Sequence, residues 1–345
     1  MTTPAPDPIR TALQRVASGA TLTEAEARAA FDEVMAGLAT PAAVGALLFG
    51  LRARGETPAE VAGAAGALRA AMHVVPHGAD RPVDTCGTGG GTVTTLNIST
   101  AAAFIAAGAG VPVAKHGNRS FTSRSGSADV LEALGLPMDL GPERAGAVLD
   151  AVGLTFLFAP LFHPAMRHVA PIRRDLGVPT VMNLIGPLAN PAGTARQVVG
   201  VADPSRGALM AEALARLGTE HALVVHAEIG MDEIAPVGLT RTWEVRDGIV
   251  TVGALDPASL GLATSTMTGL EGGEPAENAA RIEGLLERPA QAPEPLRAAV
   301  LLNATAAIYV GGRAESLAAA ADAAQTALAS GAGAERLAAL RAAVR

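Results

Sequence analysis

Cysteine occurs once in the 345 residues, at Cys86, so the chain can form no internal disulfide and no thiolate cage for a metal. A single reduced thiol suits a reducing compartment, and the sequence predicts a cytoplasmic protein. Tryptophan and tyrosine also occur once each, at Trp243 and Tyr309, and aromatic residues make up 3% of the chain. There is no row of rings on which nucleobases could stack. A basic excess is missing as well: 26 Lys and Arg face 33 Asp and Glu, for a formal charge of -7. A chain that grips nucleic acid normally carries the opposite balance. Long apolar runs are lacking, because 39 Gly and 23 Pro interrupt them well short of the ~20 residues of a membrane helix. The leader MTTPAPDPIRTALQRV has no apolar core of a secretion signal, so the reading is of a soluble, untargeted protein.

What is abundant is Ala, Val and Leu. Hydrophobic residues reach 49% and charged residues only 17%, a balance that demands extensive burial and excludes a disordered chain. The length favours one large domain with a smaller one. The first ~72 residues carry helix signals only: Thr23 with Glu26 and Thr57 with Glu60 are spaced as capping boxes, and Thr40-Pro41 is a further start. After His77 short β-branched runs alternate with alanine-rich stretches, at Val83 to Cys86, Val111 to Ala114, Thr155 to Phe158, Gln197 to Val201 and Ala222 to His226. The expected fold class is α/β: a small all-helical domain plus a larger α/β domain with a central, mostly parallel sheet flanked by helices. Residues 1–75 should form the helical domain, with the proline-broken stretch around 163–195 packing back on it. Residues 76–162 and 196–345 should form the other domain.

The segment DTCGTGGGTVTTLNISTAAAFIAAGAG concentrates glycine where a strand ends and a helix begins near Ser99. Glycines at 87, 89, 90 and 91 leave amides unshielded and allow positive φ, as wrapping an oxyanion-rich group requires. Asn97, Ser99 and Thr100 would add side-chain donors at the positive end of the helix dipole. The pattern is neither a dinucleotide fingerprint, because position 92 is Thr, nor a P-loop, because no Gly-Lys-Ser/Thr follows. Taken alone, such a loop is equally a tight turn. Its neighbour KHGNRSFTSRSGS, placed directly after the strand VPVA, gathers donors and positive charge at a strand's carboxyl end, where open α/β sheets bind ligands.

In this order and spacing, GTGGG, NIST and KHGNR, followed by HPAMRHVAPIRRDLG, NLIGPLANPAG and VVHAEIGMDEIAP, resemble the anthranilate phosphoribosyltransferase family over nearly the whole chain. The resemblance implies contacts to phosphoribosyl pyrophosphate (PRPP) from Gly87, Gly90, Gly91, Thr95, Asn97, Ile98, Ser99 and Thr100. It implies further contacts from Lys115, His116, Gly117, Asn118, Arg119, Ser120, Phe121, Thr122, Ser123 and Ser127. It implies anthranilate contacts from Gly87, Asn118 and Arg173, a guanidinium being suited to a carboxylate. His116 and His163 could line the same pocket. It implies Mg2+ at Ser99, Asp232 and Glu233, hard oxygen ligands of the kind magnesium takes alongside substrate phosphates. Neighbouring strand residues face opposite ways, so Asp232 and Glu233 can share a site only if the chain turns there, as Gly230 would permit.

One departure is plain: Gly91 stands where the family usually has Asp, and Thr92 follows where Gly is common. The implied chemistry is displacement at the ribose C1, with pyrophosphate leaving and the amine of anthranilate attacking. That amine is unprotonated at neutral pH, so no strong base is demanded. Two other readings stand beside it, a pyrimidine-nucleoside phosphorylase on the same fold and a non-catalytic, nucleic-acid-binding homologue. The paired acids and the intact NIST and KHGNR blocks weigh against the first, and the acidic balance against the second. The family resemblance also implies a homodimer through the helical domain, with Leu47, Leu48 and Phe49 as contact candidates.

Overall fold

The computed structural model describes residues 7–91, 93–120 and 124–345. Four helices open the chain: α1 (Pro8–Ala17), α2 (Glu24–Met35), α3 (Pro41–Arg54) and α4 (Pro58–Ala70). Their starts are set by Asp7, Thr23, Thr40 and Thr57, whose side chains each accept a first-turn N–H, and both anticipated capping boxes form. Each such cap contributes about 1 kcal/mol. α2 and α4 approach closely because Gly63 has no side chain: a Cβ there would lie 2.5 Å from the Glu24 carbonyl oxygen.

Strands and helices then alternate: β1 (Val83–Gly87), α5 (Ile98–Gly108), β2 (Val113–Gly117), α6 (Ser127–Ala133), α7 (Pro142–Val152) and β3 (Leu154–Phe158). The proline-broken stretch gives only short helices, α8 (Ala159–Phe162), a 3-10 helix at Pro164–His168, α9 (Ala170–Leu176) and α10 (Met182–Ile185). The sheet resumes with β4 (Arg196–Gly200), α11 (Gly207–Arg216), β5 (His221–Ala227) and a hairpin of β6 (Thr240–Arg246) and β7 (Ile249–Leu255). Four helices close the chain: α12 (Pro275–Glu287), α13 (Glu294–Val310), α14 (Leu317–Ala329) and α15 (Ala332–Ala343). The seven-stranded order is β3-β2-β1-β4-β5-β6-β7, parallel from β3 to β5 and antiparallel beyond.

Two details differ from the sequence reading. β2 begins at Val113, not Val111, and runs on through Lys115 and His116; Val111 N–H instead closes the end of α5 on the Ala106 carbonyl. The β6–β7 hairpin is an element the strand pattern above does not include. Its turn residues Asp247 (φ 51°) and Gly248 (φ 80°) are the left-handed pair that a two-residue hairpin requires.

The two faces of the sheet bury different partners, as alternation dictates. Val198, Leu223 and Val225 pack toward α5 and α13, whereas Val199, Val224, Trp243 and Val245 pack toward α11 and the N-terminal helices. Phe31, Leu47, Leu48, Leu51 and Val61 share that second cluster with Ala165, Val169, Val181, Met182 and Ile185. The stretch after His163 is therefore held by the opening helices. The carboxyl ends of β1, β2, β4 and β5 stay open to loops.

Candidate active site

β1 ends at Gly87, packed so closely that a Cβ there would lie 3.2 Å from the Gly200 carbonyl oxygen and 3.4 Å from Asp232 Oδ2. Gly89 (φ 67°) and Gly90 (φ 84°) then turn the chain through conformations that side chains disfavour. The loop enters α5 at Asn97, and Ser99, in the first turn, donates its backbone N–H to Glu233 Oε1 at 2.9 Å. Thr95 Oγ1 donates to the other carboxylate oxygen of Glu233 at 3.3 Å.

Glu233 reaches this helix start because the chain turns after β5. Gly230 (φ 93°) donates its N–H to the Ala227 carbonyl at 2.8 Å, and Ala227 N–H is taken by the Met231 carbonyl at 2.9 Å. The turn crosses the end of β4 directly over Gly200, where a Cβ would overlap the Asp232 carbonyl oxygen. Asp232 then faces the glycine loop: its Oδ1 lies 3.1 Å from where a Gly91 Cβ would stand. The turn that Gly230 permits thus brings both acids to one place. Burial raises the carboxyl groups of both above their usual range, and Glu233, with the Asp232 charge beside it, is pushed up to about 8. No arginine or histidine pairs with either among the described residues. Two half-buried carboxylates and the Ser99 hydroxyl form a hard-oxygen set of the kind that fits magnesium.

The donor run is placed differently. Lys115 is buried, and its ammonium donates to the Thr85 carbonyl and to Ser99 Oγ at 3.2 Å, so it holds the helix start from behind. Ile98 and Thr100 are also buried, and their N–H groups go to the Leu96 and Asn97 carbonyls. Gly117 lets α6 close in, since a Cβ would lie 2.2 Å from Ser127 Oγ. Ser127 Oγ itself donates to the Asn118 carbonyl at 3.3 Å. Arg119 is committed within the loop: Nη1 donates to Asp129 Oδ1 at 2.9 Å and Glu132 Oε2 at 2.8 Å, and the guanidinium lies over the Phe158 ring. Asp129 Oδ2 also accepts the N–H groups of Ser120 and Gly126. Asn97 spends its amide on Ser125, donating Nδ2 to the Ser125 carbonyl at 3.0 Å. Phe121, Thr122 and Ser123 lie outside the described residues, as does Thr92.

His116 and His163 meet with their Nε2 atoms 3.2 Å apart, one donating and one accepting. Burial lowers both, His116 to about 3 and His163 to about 4, so the pair is neutral at pH 7. Arg173, in the last turn of α9, is half-buried and has no acidic partner among the described residues. Burial lowers its basicity. Sequence reasoning missed Asp84, which is fully buried below this layer and whose Oδ1 accepts the His116 N–H at 3.0 Å. It also missed Asp129, although an acid three residues after Gly126 is a helix-start signal, and Asn278, which no local pattern marks.

These features define a class: a glycosyl transferase family model for a helical bundle domain matches residues 10–72, and one for an a/b domain matches residues 79–334. The anthranilate phosphoribosyltransferase of Desulforudis audaxviator is 50% identical over 329 residues, 95% of this chain and 94% of the relative. The chain belongs to the anthranilate phosphoribosyltransferase family. A crystal structure of the family member from Thermus thermophilus is 45% identical, with a TM-score of 0.91 over 97% of this chain and 99% of the other. The Saccharomyces cerevisiae enzyme, solved in complex with PRPP and Mg, is 25% identical, with a TM-score of 0.87 over 97% of each chain.

Proposed function

We infer that the protein transfers the phosphoribosyl group of PRPP to the amine of anthranilate, giving N-(5-phosphoribosyl)anthranilate and pyrophosphate, a step of tryptophan biosynthesis. The observation that carries this is the meeting, at the carboxyl end of β1, of a glycine loop with two half-buried carboxylates that form no salt bridge among the described residues. Magnesium, held by Ser99, Asp232 and Glu233, would neutralise charge on the departing pyrophosphate. The glycine loop and the start of α5 would cradle phosphate through backbone N–H groups. Arg173, an unpaired guanidinium, would grip the carboxylate of anthranilate, with Asn118 and Gly87 beside it. The neutral His116–His163 pair is itself no strong base, and a weakly basic aromatic amine needs none.

Residues 1–75 with 163–195 are proposed as one domain and the remainder as the other. The separate helical-bundle match supports that division, and residues 165–189 pack on the opening helices in a cluster that also runs on into α11 and the sheet. A homodimer through the helical domain is proposed on a corrected footing. Leu47 and Leu48 are fully buried in the core of their own chain, but Phe49 is 54% and Leu38 77% exposed. No described helix is long and apolar enough to cross a membrane, and residence in the cytoplasm is proposed with it. The test is pyrophosphate release with and without anthranilate. Release that requires PRPP, anthranilate and magnesium together is expected; phosphorolysis of a pyrimidine nucleoside, with no use of PRPP, would overturn the reading.

A further inference from the structure

A segment far along the chain closes over the glycine loop. Residues 270–273 lie antiparallel to residues 94–96: Leu96 N–H donates to the Leu270 carbonyl at 2.8 Å, Thr95 bridges Glu271, and Gly272 N–H donates to the Thr94 carbonyl at 3.3 Å. The approach depends on glycine, since a Cβ at Gly272 would lie 2.5 Å from the Thr95 carbonyl oxygen. The segment is itself tied down by α12. Arg281 donates Nη1 to the Glu271 carbonyl at 2.6 Å and Nη2 to the Gly269 carbonyl.

Asn278, on the same helix and 1% exposed, accepts Gly273 N–H at 2.9 Å through Oδ1 and donates Nδ2 to Asn97 Oδ1 at 3.1 Å. Asn97 Oδ1 also accepts from Ser125 Oγ at 3.2 Å, while Asn97 Nδ2 donates to the Ser125 carbonyl. One buried amide therefore fixes the orientation of Asn97. Asn97 in turn joins the glycine loop to the loop that follows β2. The same segment holds Thr95, whose hydroxyl supports Glu233.

We propose that the strap of residues 270–273, locked by Asn278, is a positioning device that presets both phosphate loops for PRPP. This deepens the PRPP reading and rests on it. Asn97 acts here as a staple whose side chain bonds Ser125 and Asn278, and the loops present their backbone amides in register because the staple is held. Removing the Asn278 donor would leave Asn97 Oδ1 facing a second acceptor. Alternatively Asn97 would flip its amide and lose its bond to the Ser125 carbonyl.

Asn278→Asp tests this, because it keeps the shape and the acceptor for Gly273 N–H but removes the donor. Gly272→Ala leaves every side-chain bond intact and pushes Thr95 instead. PRPP binding with magnesium, in the absence of anthranilate, is measured by calorimetry for wild type and both variants, with steady-state KM for each substrate and a melting curve. Each variant should weaken PRPP binding about tenfold, the value of one buried hydrogen bond, and leave the KM for anthranilate within about twofold. PRPP affinity equal to wild type in both folded variants would overturn the proposal, as would equal weakening of both substrates, the mark of general loosening. Should Asn278→Asp fail to fold, Gly272→Ala decides alone. A wild-type protein that binds no PRPP would instead sink the proposed function, and the two failures are thereby told apart.

Discussion

Two charged clusters lie at the same edge of the sheet, and they are settled in opposite ways. Around Arg119 every charge has a partner: the guanidinium is shared between Asp129 and Glu132, and Asp129 also takes two backbone N–H groups. Around Asp232 and Glu233 the acids are brought together and half-buried with no salt bridge among the described residues, and burial pushes their carboxyl groups upward more than nearby Lys115 and His226 lower them. Arg173 has the reverse deficit, a half-buried guanidinium without an acid among the described residues. The number of charged residues does not separate these places. What separates them is whether the fold has already satisfied the charge, since an unpaired and partly desolvated ion is costly unless a ligand completes it.

The contrast can be broken most severely at the acid turn. Replacing Asp232 and Glu233 together by Ala should cost roughly a thousandfold or more in kcat/KM, because the magnesium that neutralises pyrophosphate loses its protein ligands. The melting temperature should fall by no more than about 4 °C, the removed desolvation offsetting the lost bond to Ser99 N–H. Steady-state kinetics and a melting curve check both, and full activity in the folded variant would return the pair to a plain surface turn.

Arg173→Ala should act on one substrate. The expected loss in kcat/KM for anthranilate is about tenfold or more, with the KM for PRPP close to wild type. Equal losses for both substrates would place Arg173 outside the anthranilate pocket.

Gly91→Asp sharpens the comparison by adding a third acid tight against Asp232. Its Cβ would stand 3.1 Å from Asp232 Oδ1, so the new carboxylate would repel both Asp232 and pyrophosphate until a cation lies between them. A magnesium titration should therefore show a shifted optimum, with the KM for PRPP raised severalfold at low magnesium and recovering as magnesium rises. Superimposable profiles, with PRPP affinities within about twofold, would mean that position 91 points away from the phosphates.

The smallest effect is expected at Arg119. Its charge is already neutralised, so Arg119→Ala should change the KM for PRPP by less than about threefold. A much larger rise, unaccompanied by loss of stability, would show that this guanidinium leaves its acids to bind phosphate.

Much of the framework was legible because it rests on local signals. Capping boxes marked α2 and α4, glycines marked the turn after β1, and β-branched runs marked five strands. The β6–β7 hairpin also carries such a signal in Asp247-Gly248. The site was legible as a list of residues and much less as a set of roles. Nothing local says that Lys115 faces inward toward Thr85 and Ser99, or that Leu47 and Leu48 belong to the core while Phe49 does not. Side-chain direction at these positions is fixed by packing between segments distant in sequence. Asp84, Gly200 and Asn278 were invisible for the same reason: each acts on a residue at least 32 positions away.

The central claim, that unpaired acids mark the place where magnesium meets PRPP, is tested most directly before any chemistry occurs. Calorimetry of PRPP binding at low and saturating magnesium, without anthranilate, compares wild type with Asp232→Asn/Glu233→Gln, which keeps the shape of both side chains and removes their charge. The account predicts that magnesium strengthens PRPP binding to wild type by about tenfold or more and has almost no effect on the variant. A magnesium dependence that is the same in both proteins would contradict it.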